Sequence, residues 1–132
     1  MGEQDFWNQH SLNFLEMAYK AEHRERIHRP DGYGTRTGEC GDKVEFFIMV
    51  DRGRLSTISF EIDGCVHTLA CCNTVVHMTQ GLSIEEAWEI NPEKVAAFLE
   101  TLPEDHYHCA ELSVGGFYLA LSDFQKHNFR KK

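Results

Sequence analysis

Two runs rich in β-branched and aromatic residues, Lys43 to Val50 and Leu55 to Ile62, are separated only by Asp51-Arg-Gly-Arg54. Residues of these types suit a pleated, half-buried surface, and Gly53 supplies the positive φ that a tight connection needs. The stretch therefore predicts a β-hairpin.

Around it the pattern is helical. Phe6 to Lys20 carries Trp7, Leu12, Leu15 and Met17 among polar residues, with no proline until Pro30, and predicts an N-terminal helix. Residues 21–38 change character: His23, Arg24, Arg26, His28 and Arg29 are followed by Asp-Gly-Tyr-Gly and Thr-Gly, the composition of a mobile loop. After the hairpin, Cys65 to Gln80 predicts a helix ended by Gly81. Ser83-Ile-Glu-Glu86 is a capping box opening a short helix. Asn91-Pro92 is an N-cap with proline at the first helical position of a helix running to about Thr101. Pro103 to Tyr107 is a polar connection, and a last amphipathic helix from about Cys109 buries Leu112, Phe117, Leu121 and Phe124.

Length and charge bound the function. A chain of 132 residues with 42% hydrophobic content suits one domain, 1–132, with a real core. Thirteen Lys and Arg against 21 Asp and Glu give a net charge of -8, which argues against nucleic acid or an anionic membrane as partner. A basic or amphipathic partner protein fits better. The apolar stretches are far short of a membrane span and the acidic start Met-Gly-Glu-Gln-Asp lacks a signal-peptide charge pattern, so the expected location is cytoplasmic. Five cysteines without dense spacing then read as thiols for metal or redox chemistry.

Three of those cysteines fall at junctions between elements. In Gly38-Glu-Cys-Gly-Asp42 an extended backbone turns Cys40 and Asp42 the same way, one thiolate and one carboxylate facing one point. Cys65 lies between strand and helix, and Cys109 starts a helix beside His108. A helix N-terminus lowers a thiol pKa, and the resulting thiolates bind soft metals and attack persulfides; His108 adds a nitrogen ligand or proton acceptor. Cys71 and Cys72 sit too far along their helix to reach the same ion and are assigned to packing. His23, His28, His67, His77 and His106 are assigned structural or solvated roles, with His106, loop-borne near the site, and His67 as the two that the alternative reading brings to the metal. Phe14, Phe46, Phe47, Phe60, Phe98 and Phe117 are assigned to the core, and Glu85, Glu86 and Glu89 to a solvated helix face.

Taken together these segments resemble the U-type iron–sulfur cluster assembly scaffolds, IscU and the N-terminal domain of NifU. The matching segments are Cys40-Gly-Asp42 before a strand, Phe60 to Gly64-Cys65, Gly81 with Ser83, and Leu102-Pro103 leading to His108-Cys109; they span Phe14 to Phe124. The resemblance implies an α+β fold, a small three-stranded antiparallel sheet with helices packed against it. It implies Cys40, Cys65 and Cys109 as cluster cysteines, Asp42 as the carboxylate that keeps the cluster labile, and His108 as an extra ligand. The family's bacterial members carry Leu-Pro-Pro-Val-Lys, bound by a dedicated chaperone, where this chain has Leu102-Pro-Glu-Asp-His106, so the resemblance does not extend to that chaperone. An insertion found in a Gram-positive zinc-binding branch is missing too, which places the chain on the IscU and NifU side.

The function implied is a scaffold and carrier rather than an enzyme. A labile 2Fe-2S cluster would be built from iron, electrons and the sulfur of a cysteine desulfurase, with Cys109 as persulfide acceptor, and passed to apo iron–sulfur proteins. Zn2+ suits the same donors. The alternatives are a zinc-binding sulfurtransferase relay and a zinc-stabilised binding module without assembly activity; the dispersal of the cysteines over the chain, unlike the short spacings of structural zinc sites, weighs against the latter.

Overall fold

The computed structural model describes residues 11–39 and 41–130. The chain runs α1 (Leu12–Tyr19), β1 (Gly32–Thr37), β2 (Lys43–Asp51), β3 (Arg54–Asp63), α2 (Val66–Thr79), α3 (Ile84–Ala87), α4 (Pro92–Leu99), a 3-10 turn (Glu104–His106) and α5 (Tyr107–Arg130). The three strands form an antiparallel meander in the order β1-β2-β3. The α+β fold implied by the resemblance is thus the observed one.

The hairpin forms as its sequence dictates. Arg52 and Gly53 both take positive φ, 55° and 79°, and Asp51 pairs with Arg54 across the turn. Val44, Phe46 and Ile48 of β2 and Leu55, Ile58 and Phe60 of β3 are buried. α5 lies over β1 and β2, with Phe117 edge-on to Phe46 at 5.8 Å, and α2 packs beside it against β3. α1 and α4 close the far side of α2.

Local capping fixes the helix ends. Cys65 is the N-cap of α2, and Gly81, at φ 83°, follows its end. Ser83 and Glu86 form the reciprocal capping box, and Asn91 caps α4 through Lys94 N. α1 begins at Leu12 because Ser11 caps it by accepting from Phe14 N; residues 6–10, included in the expected helix, lie outside the described residues. α4 stops at Leu99 rather than Thr101, α5 begins two residues before Cys109, and the connection between them contains the 3-10 turn.

The expected loop over residues 21–38 needs correcting, because Gly32–Thr37 is strand β1. Its glycines are there for space. A Cβ on Gly34 would lie 2.3 Å from Ala120 N and 2.4 Å from Gly116 O, and one on Gly32 would lie 2.4 Å from Ala120 O. β1 therefore rests directly on the backbone of α5, as only side-chain-free residues permit. The basic segment before it is fastened to the sheet. Phe60 N donates to His23 O, Arg24 pairs with Glu61 at 3.1 Å, and Arg26 makes a bidentate contact with Glu45 while lying over the Phe47 ring.

Gly34→Ala is expected to destabilise the protein by about 2 kcal/mol or more, the cost of forcing a methyl group into a filled contact. Urea unfolding followed by circular dichroism checks this; an unchanged midpoint would mean that β1 does not sit on α5.

Candidate metal centre

The hairpin register sets the first two donors. Lys43 pairs with Asp63, so Asp42 just before β2 and Gly64-Cys65 just after β3 meet at one end of the sheet. Gly64 leaves room for this meeting, since a Cβ there would lie 3.0 Å from Asp42 Oδ2 and 3.2 Å from Thr68 Oγ1. Cys65 is exposed, and its side chain makes no capping hydrogen bond, which leaves the thiol facing the site. The first turn of α5 brings Cys109, fully buried, to the same point.

One ligand atom from each of Asp42, Cys65 and Cys109 lies within 4.8 Å of the others. Donors around a tetrahedral ion bound at about 2.0 to 2.3 Å stand roughly 3.3 to 3.8 Å apart, so small side-chain adjustments close this set on one ion. Its chemistry fits: two thiols suit zinc or iron–sulfur ligation, and the carboxylate is a harder, more exchangeable donor. Cys40, expected as the third thiol, lies outside the described residues.

Thr68 ties the set together. Its hydroxyl donates to Asp42 Oδ2 at 2.8 Å and lies 3.5 Å from Cys109 Sγ and 3.7 Å from Cys65 Sγ. It is fully buried in the first turn of α2. Sequence reasoning missed it; the available signal was its position three residues after Cys65, on the same side of the first helical turn.

Three histidines gather at the same end of the sheet. His108 Nε2 lies 3.7 Å from Cys109 Sγ, near enough for the extra-ligand role expected of it. His67 and His106, assigned structural or solvated roles, also face the centre. His67 Nδ1 is 3.6 Å and His106 Nδ1 4.0 Å from the sulfurs of Cys65 and Cys109, respectively. Cys65, His67 and His106 form one set of donors within 4.8 Å, and His106, His108 and Cys109 another.

The expected lowering of the thiol pKa by a helix N-terminus fails for Cys109. Burial pushes its thiol up to about 11, with Cys65 and Asp42 nearby adding to the shift and Thr68 opposing it. Desolvation is the largest cause of the shift. Cys71 and Cys72 are core residues as expected: burial raises both, Cys72 to about 12, and Cys72 Sγ rests 3.4 Å from Ser113 Oγ.

A three-stranded sheet backed by helices, with thiols, a carboxylate and imidazoles gathered at one end, defines a small domain built around a candidate metal centre. The family described as the NifU-like N-terminal domain matches residues 20–131. Over 104 residues the chain is 33% identical to iron–sulfur cluster assembly scaffold protein IscU 1 of Archaeoglobus fulgidus, covering 78% of this chain and 68% of that one. It is 26% identical over 101 residues to nitrogen fixation protein NifU of Nostoc, covering 71% of this chain and 34% of the longer NifU. The fold matches the N-terminal NifU-like protein of Brucella abortus with a TM-score of 0.73 at 13% identity, over 88% of this chain and 94% of that one. The chain belongs to the NifU-like N-terminal domain family, whose members are iron–sulfur cluster assembly scaffolds.

Thr68→Val keeps the shape of the side chain and removes the hydroxyl that orients Asp42. Such supporting hydrogen bonds are typically worth about 10- to 100-fold in metal affinity, and a weakening of Zn2+ binding in that range is expected. Competition with a chromophoric chelator measures it; unchanged affinity would remove Thr68 from the site.

Proposed function

We propose that the chain is a scaffold on which a labile 2Fe-2S cluster is assembled from iron and desulfurase-derived sulfur and from which it passes to apo-proteins. The observation that carries this reading is the convergence of Asp42, Cys65 and Cys109 within 4.8 Å, given family membership. Cys40 is proposed as the third cysteine and His108 as the extra ligand. Iron and electron donors and a cysteine desulfurase are the proposed partners, and a reducing compartment such as the cytoplasm the proposed location. Zn2+ is the ion most suited to the same donors when no cluster is being built.

The residues divide the work by their surroundings. Among the described cysteines Cys65, exposed, is the thiol that an incoming ion or protein meets first. Cys109, buried and held protonated, gives up its proton when iron replaces it, and its thiolate is then able to attack the terminal sulfur of a donor persulfide. The S–S bond of the donor breaks, its cysteine leaves as thiolate, and Cys109 carries the sulfane sulfur. Asp42 supplies the exchangeable ligand. Its carboxylate binds iron less firmly than a thiolate would, so an acceptor's cysteine can displace it.

Asp42→Ala is expected to retain its cluster longer and to transfer it to apo-ferredoxin more slowly than the wild-type chain, whereas Cys65→Ala is expected to hold none. Transfer followed by circular dichroism under anaerobic conditions makes the comparison. Equal rates for wild type and Asp42→Ala would remove Asp42 from release, and a wild-type chain that loads but never transfers would favour a relay or a static zinc module.

A further inference from the structure

We propose that Cys65, His67 and His106 form a second metal site on the rim of the first, taking a first-row divalent ion such as Zn2+ or Fe2+ through two imidazoles and one thiolate. One donor atom from each of the three lies within 4.8 Å of the others. The pair on α2, Cys65 Sγ and His67 Nδ1, is separated by 3.6 Å, inside the roughly 3.3 to 3.8 Å expected of neighbouring ligands on a tetrahedral ion.

Two elements build the set. Cys65 and His67 flank the start of α2, and His106 ends the 3-10 turn leading into α5. The ring of His67 is held between Phe14, with centroids 5.6 Å apart, and His106, stacked at 3.7 Å with 14° between planes. Both rings are half-buried, whereas the neighbouring carboxylates Glu104 and Asp105 are exposed and draw cations towards the rim of a chain already carrying a net charge of -8.

This set differs from the inner one in two of its three donors. Among the described residues, the groups whose donors all lie within 4.8 Å do not place His67 with Asp42 or with Cys109; the rim set shares Cys65 with the inner one and touches it again through His106, which groups with His108 and Cys109. An ion on the rim would reach the inner donors by exchanging its two imidazoles for Asp42 and Cys109 while Cys65 stays bound. Two imidazoles and one thiolate bind Zn2+ or Fe2+ well but offer fewer sulfurs than an iron–sulfur cluster prefers, which suits temporary holding. The inference stands on this donor geometry and does not require the scaffold reading.

Occupancy has a structural signature. Stacked rings keep their lone pairs in two nearly parallel planes, so closing both on one ion requires His67 and His106 to tilt out of their stack. The histidine side-chain resonances report this directly.

The test is an anaerobic Co2+ titration of Cys40→Ser/Asp42→Ala/Cys109→Ser, which removes the inner donors other than the shared Cys65 and His108, followed by long-range 15N spectra of the histidines with Zn2+. The expected result is one bound Co2+ per chain with a thiolate-to-cobalt charge-transfer band, and Zn2+-induced shifts of His67 and His106 nitrogens. Adding His67→Gln and His106→Gln should abolish the band, whereas His77→Gln, at the far end of α2, should keep it. Should the triple variant not fold, the wild-type chain, with the Cys65 thiolate bridging two ions, is expected to bind two Co2+ equivalents, and His67→Gln/His106→Gln in that chain to lose one of them. The proposal is overturned if the band or stoichiometry survives both histidine replacements, or if the two histidines do not respond to Zn2+. Cluster assembly is not the readout, so a chain that binds Co2+ at the rim yet builds no cluster would refute the scaffold reading alone.

Discussion

The pairing of β2 with β3 puts Asp42 beside Gly64 and Cys65, and the rest of the centre is assembled on that contact. A slip of one residue would turn Val44, Phe46 and Ile48 away from the core and move Asp42 off Thr68, so burial of the apolar face and placement of the carboxylate are enforced by the same register. α2 follows directly from β3, which seats its N-terminal turn, with Cys65, His67 and Thr68, over the end of the hairpin. α5 supplies Cys109 and His108 by packing across the same sheet. The donors are dispersed in sequence because each lies beside the end, or in the first turn, of a different packed element.

What could be read from the sequence was local. The Asp51-Arg-Gly-Arg54 turn, Gly81, the Ser83 and Glu86 box and Asn91-Pro92 each satisfy backbone groups of their immediate neighbours, and all appear where their chemistry demands. β1 was illegible for the opposite reason. Its glycines answer to Ala120 and Gly116, which lie more than eighty positions further on, and in isolation a Gly-Tyr-Gly run looks like a turn. The third strand entered only through the family resemblance.

The candidate site divides in the same way. Asp42, Cys65, His108 and Cys109 announced themselves by residue type at element junctions, whereas Thr68, His67 and His106 gained their place from how α2 meets the 3-10 turn. A hydroxyl in a helix carries no signal of its own. The dipole rule applied to Cys109 misled because the thiol is buried, and desolvation raises it. That reversal ties protonation to metal binding. A buried thiol keeps its proton until a cation takes its place, so the folded domain and its cargo stabilise one another.

The central claim is that this end of the hairpin holds an iron–sulfur unit on sulfur and oxygen donors. Anaerobic reconstitution with ferrous iron, sulfide and a thiol reductant, followed by Mössbauer spectroscopy of the 57Fe-loaded chain, tests it most directly. The account predicts a diamagnetic ferric pair giving two distinct quadrupole doublets, one iron with fewer sulfur ligands than the other, with the two becoming alike in Asp42→Cys. Iron bound only as an isolated high-spin ion, or a cluster formed equally well by Cys65→Ser/Cys109→Ser, would contradict it.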